Sequence, residues 1–159
     1  MRSSEAELRE LFQREEGLVG SSEGPRLQGG HDPVTEAIKS ELEERIRRDL
    51  PHLTEEDLCA LARVVERLIE AYQPERIYLF GSKARGDYGP DSDFDLLVVV
   101  PNDAPADQKR SRLAYERLWG TGTAADVLVW TRGRFESRAH LRASLPGTIL
   151  REGRLLYAA

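Results

Sequence analysis

The stretch LFGSKARGDYGPDSDFDLLVVV, residues 79 to 100, restricts the fold more than any other part of the chain. Two apolar runs enclose a polar segment with glycines at 81, 86 and 89 and aspartates at 87, 91, 93 and 95. The first run, RIYLF at 76–80, predicts a strand that buries Ile77 and Leu79 and breaks at Gly81. The second, FDLLVVV, is apolar on both faces after Asp95, which predicts a strand in the middle of its sheet.

Elements on either side extend this pattern. Thr54 with Asp57 reads as a capping box, and Leu58, Leu61, Val65, Leu68 and Tyr72 follow at three- and four-residue steps, predicting a core-facing helix that Pro74 ends. Cys59 lies beside that stripe and reads as a buried, inert thiol. DAPADQKRSRLAYERLWG predicts a helix crossing the sheet, with Gly120 as its C-cap. ADVLVWT predicts a third strand, and the tail predicts two short helices broken at Pro146 and Gly147, then RLLY packing or adding a sheet edge. The order helix, strand, strand, helix, strand, helix gives an α/β (α+β) architecture, a small mixed sheet covered by helices.

Residues 1–50 read as an extension of the compact domain at 51–159. A short helix is expected at 5–16, and GLVGSSEGPRLQGGHDP, with five glycines and two prolines in 17 residues, reads as a flexible linker. An amphipathic helix restarts with Asp32 as N-cap and Pro33 at its first position, and carries Val34, Ile38, Leu42 and Ile46 on one stripe.

A net charge of −5 argues against a sequence-independent grip on phosphate backbones, so nucleic acid is not expected as a direct ligand. The single cysteine excludes an internal disulfide and any multi-cysteine zinc site. The longest aliphatic run, Leu96 to Val100, is far below the roughly 20 residues that span a bilayer. No membrane segment or targeting peptide is read, and a cytoplasmic location is expected.

The aspartates carry the chemistry. Asp93 and Asp95 leave the same face of the sheet if the strand pattern reaches back that far. Two carboxylates held so close repel unless a cation lies between them, and Mg²⁺ suits this, since it takes one or two carboxylates and fills its shell with substrate phosphate oxygens. Asp126, at the lip of the third strand, is a third candidate ligand; three carboxylates suit a pair of ions that clamp an in-line phosphoryl or nucleotidyl displacement. Gly81 lets a phosphate approach the backbone, and Ser82 opens a short helix whose first amides are free for an anion. Lys83 and Arg85 stand ready for phosphate charge. A calcium loop would need further oxygen ligands where Leu96 to Val100 stand.

With Gly81-Ser82, ten intervening residues and Asp93-x-Asp95 entering a strand, FGSKARGDYGPDSDFDLLV resembles the nucleotidyltransferase superfamily that includes DNA polymerase beta. The GSKARG form, the small size and the ending LREGRLLY resemble its minimal nucleotidyltransferases, over about residues 54 to 157. That resemblance implies a nucleotidyltransferase fold in which Gly81 and Ser82 hold the triphosphate and Asp93, Asp95 and Asp126 serve catalysis and bind two Mg²⁺ ions. ATP is the implied donor. Lys83 stands where the family usually has arginine, which keeps the charge and loses the bidentate fork.

It further implies a function: transfer of NMP, in this family AMP, from an NTP to a hydroxyl, with a tyrosine of a HEPN-type toxin as acceptor and this chain as the antitoxin. The implied partner is a separate small helical HEPN-domain protein, with which an oligomer is compatible. Two other readings stand beside it: a small-molecule (antibiotic) nucleotidyltransferase, and a non-catalytic module that neutralises its partner by contact.

Overall fold

The computed structural model describes residues 33–159. The helix expected at 5–16, the linker as far as Asp32 and the Asp32 cap lie outside the described residues. Helix α1 spans Pro33–Asp49 and places Leu42, Ile46 and Leu50 in the main core, with Ile38 packed at its edge. The side chain of Val34 lies outside the described residues.

Helix α2 spans Glu55–Tyr72. Thr54 caps it by accepting from the Asp57 amide, and Gln73, in the left-handed region at φ 45°, closes it just before Pro74. Its buried face carries Leu58, Leu61, Val65, Leu68 and Tyr72, as the periodicity predicts. Cys59 is exposed, contrary to the expected burial, because it falls outside this stripe.

Four strands follow in the order β3-β2-β1-β4: β1 Arg76–Phe80, β2 Phe94–Val100, β3 Ala125–Thr131 and β4 Arg154–Ala158. β1 runs antiparallel to β2 and β4, and β2 runs parallel to β3, so β2 is internal and apolar on both faces. Alternate residues of β2 serve two cores. Phe94, Leu96, Val98 and Val100 join α1 and α2, whereas Leu97 and Val99 join Phe135 and Ile149 on the other face. Phe135 belongs to α5, Arg132–Ala139, and Ile149 to α6, Leu145–Glu152.

Between β1 and β2 the chain makes a single turn of helix, α3 at Ser82–Arg85. The crossover from β2 to β3 holds a 3₁₀ turn at Ala106–Lys109 and a short helix α4, Arg112–Leu118, in place of one continuous helix. Gly120 follows at φ +82°. Pro146 begins α6 instead of breaking it: Ser144 accepts from the Gly147 amide as N-cap, and a proline in the first turn has no amide to lose. RLLY becomes β4 at the β1 edge. No helix among the described residues is long and apolar enough to cross a membrane.

Candidate active site

The ends of three strands bring the predicted residues together. In the register of β1 with β2, Phe80 faces Asp95, so Gly81 begins where the carboxylate lies. Gly81 adopts φ 76°, and a Cβ there would overlap Asp95 Oδ2. Only glycine combines that backbone conformation with so close an approach. The chain then turns into α3, with Gly81 as N-cap and the Ala84 and Arg85 amides returned to the Gly81 carbonyl.

Across the sheet, Asp95 is the register partner of Asp126 on parallel β3, and neighbouring strands lie about 4.8 Å apart. Asp93 stands one residue ahead of β2 and is exposed. Half-buried Asp95 is held above the usual carboxylate range, first by burial and then by the charges of Asp126 and Asp93, with Arg85 opposing. The negative charge is thus concentrated at one sheet end, and among the described residues no side-chain cation forms an ion pair with Asp95.

The charged pair after Gly-Ser divides. Arg85 stays near the carboxylates, its Nε 3.1 Å from Asp87 Oδ2 and its Nη1 3.7 Å from Glu152 Oε2. Lys83 is only 6% exposed: its Nζ lies 4.1 Å from the Phe94 ring centroid and 3.4 Å from Asp57 Oδ2. Lys83, expected to offer its charge to phosphate, is here paired with Asp57 and packed on Phe94. Phe94 lies on the α2 face of β2, and the lysine follows it there. The Lys83 carbonyl is also engaged, 2.6 Å from His52 Nε2.

Asp126 has a partner that the strand pattern does not reveal. Tyr115, on α4, donates its hydroxyl to Asp126 Oδ1 at 3.0 Å. Its phenol is held above its ordinary value, by burial first and then by that carboxylate. Ala114 and Leu118 bury at a four-residue spacing, which leaves Tyr115 and Trp119 at the same spacing on the outer side. That offset was the available signal. Among the described residues no group of three or more His, Cys, Asp or Glu side chains is drawn close enough to enclose an ion by itself. The arrangement fits an ion completed by substrate oxygens: Asp95 is crowded by like charge, and glycine lets its carboxylate approach the backbone of the turn.

Residues 61–156 match the family profile described as a nucleotidyltransferase domain. The chain belongs to this family. This nucleotidyltransferase is 35% identical over 85 residues to a protein of Methanocaldococcus jannaschii provisionally named a protein adenylyltransferase; the match spans 52% of the chain and 78% of that relative. Among solved structures it is similar to a provisionally named nucleotidyltransferase from Sulfolobus solfataricus, with a TM-score of 0.43, 19% identity, and coverage of 83% of this chain and 93% of that one. A toxin–antitoxin structure with AMP-PNP aligns at a TM-score of 0.43 and 22% identity, over 61% of this chain and 73% of that one. The matched range of this nucleotidyltransferase includes the Gly-Ser at the end of β1 and the Asp-x-Asp at the start of β2.

Proposed function

We propose that this nucleotidyltransferase transfers AMP from ATP to a hydroxyl of a separate protein, and that it acts as the antitoxin of a small helical HEPN-type toxin whose tyrosine is the acceptor. The observation that carries the transfer is the opposition of Gly81 to Asp95, a backbone left bare beside a crowded carboxylate. The protein acceptor rests on the resemblance to minimal nucleotidyltransferases and on the name given to the archaeal relative.

In this reading the Gly81–Ser82 turn receives the triphosphate, with the first amides of α3 as donors, and Arg85 adds charge from the side. Asp93, Asp95 and Asp126 would hold Mg²⁺, which would supply positive charge for the phosphates during displacement. Asp126 accepts a hydrogen bond from an incoming hydroxyl, as it does from Tyr115, and so orients the nucleophile and takes its proton. Lys83 holds α3 to α2 through Asp57 and fixes the turn that presents Gly81.

The test uses purified protein, Mg²⁺ and each α-labelled NTP, with and without the product of the neighbouring reading frame. Label on that product, lost in Asp93→Ala with Asp95→Ala, is the expected result. A double variant that still neutralises its partner without transfer would replace enzymatic neutralisation by contact. Label on an aminoglycoside alone would make the chain a small-molecule enzyme.

A further inference from the structure

The hydroxyl nearest to doing what an acceptor must do belongs to the chain itself. Tyr115 Oη lies 3.0 Å from Asp126 Oδ1, and the residue is 49% exposed. Two other tyrosine hydroxyls are bound elsewhere: Tyr88 donates to the His52 carbonyl, and Tyr72 is buried and donates to the Arg110 carbonyl. Tyr115 also borders an open cavity of about 620 Å³, lined with it by Ser111, Arg112, Glu116 and Trp119. Trp119 is 87% exposed there, at the C-terminal end of a helix that buries Ala114 and Leu118 on its other side. The exposed indole gives the base of a nucleotide attached to Tyr115 a ring to lie against, and Arg112, paired with Glu116 at 3.2 Å on the same cavity wall, would have to exchange that partner to meet the phosphate.

We propose that Tyr115 is a self-nucleotidylation site. This rests on the nucleotidyl-transfer reading above. The Tyr115 oxygen attacks the α-phosphorus of a bound NTP; the Tyr115 Oη–Pα bond forms and the Pα–O bond to the β-phosphate breaks. Pyrophosphate leaves with the electron pair, and the phenolic proton passes to Asp126. The product is an O-nucleotidyl tyrosine at the mouth of the site, where it denies Asp126 to any external hydroxyl. Self-modification thus competes with transfer to a partner, and a partner that docks first has to move Tyr115 aside.

The full chain is incubated with Mg²⁺ and each NTP without any partner, and followed by intact mass, peptide mapping and nucleotide-binding calorimetry. A gain of one nucleoside monophosphate mapped to Tyr115, with a per-molecule rate independent of protein concentration, is the expected result. Tyr115→Phe abolishes it, and the wild-type mapping stands whether or not that variant folds well. Label on another residue, or a rate that rises with protein concentration, overturns the proposal. Nucleotide binding without label overturns it and leaves the transferase reading standing, whereas neither binding nor label overturns both.

Discussion

Gly81 and Asp95 meet across β1 and β2 with no room for a methyl group between them. Gly81→Ala places a Cβ into the carboxylate on a backbone at φ 76°, ψ −161°, a region that L residues avoid. The variant is expected to lose about 3 kcal/mol of stability, from strain and displacement together. Transfer should fall by about 100-fold because the carboxylate moves relative to the turn. Thermal melting and a labelled-NTP assay check both, and a variant as stable and active as the parent would remove this contact from the site.

Lys83 and Arg85 separate by the same means. Lys83→Ala breaks the pairing with Asp57 and the contact with Phe94, so it should cost about 2 kcal/mol. Its effect on MgATP affinity should stay within about threefold, roughly 0.7 kcal/mol. Arg85→Ala, exposed and paired only at its edges, should reverse the order: little stability lost, and affinity weakened about tenfold. Calorimetry and denaturant unfolding on both variants decide the assignment.

What the sequence made legible was set by how local the cause was. The α2 stripe, the β1 and β2 runs, and Gly81-Ser82 with Asp93-x-Asp95 are patterns of residue type at fixed spacing, and the fold keeps them. Asp126 was legible because an acidic residue opens an otherwise apolar strand. Lys83 was not, because the direction of a side chain on a single helical turn depends on Asp57, which lies on another helix, and Phe94, on a strand. Tyr115 reads as one more apolar helix residue until β3 places Asp126 beside it. Pro146 reads as a break until Ser144 is seen to cap the helix that it begins.

The acid response of Asp95 follows from its crowding. The folded chain holds its carboxyl above the ordinary carboxylate range through burial and the charges of Asp126 and Asp93, so the unfolded chain releases this proton first as pH rises. Ionising Asp95 therefore costs stability: nothing below the unfolded value of about 4, more as pH rises through the folded value, and the full amount above it. Asp95→Asn should raise Tm by about 2 °C at neutral pH, with the gain vanishing near about pH 3. Scanning calorimetry across that range checks the sign; a lower Tm at neutral pH would mean that the carboxylate is stabilised where it stands.

Tyr72 ties the start of α4 to the core. Its hydroxyl donates to the Arg110 carbonyl at 2.6 Å and accepts from the Ala114 amide at 2.8 Å, and burial pushes the phenol up to about 12, so it keeps its proton at any working pH. One buried side chain thus fixes both the entry to α4 and its first turn, one residue before Tyr115. Tyr72→Phe leaves the ring in place but orphans a buried amide, a loss of about 2 kcal/mol. The helix should then fray: hydrogen exchange of α4 amides should rise while that of β2 does not. Tyr115 would lose its fixed approach to Asp126, so any chemistry at that hydroxyl should slow more than nucleotide binding weakens. Equal protection of α4 in the variant and the parent would show that Ala114 and Leu118 hold the helix without the tyrosine.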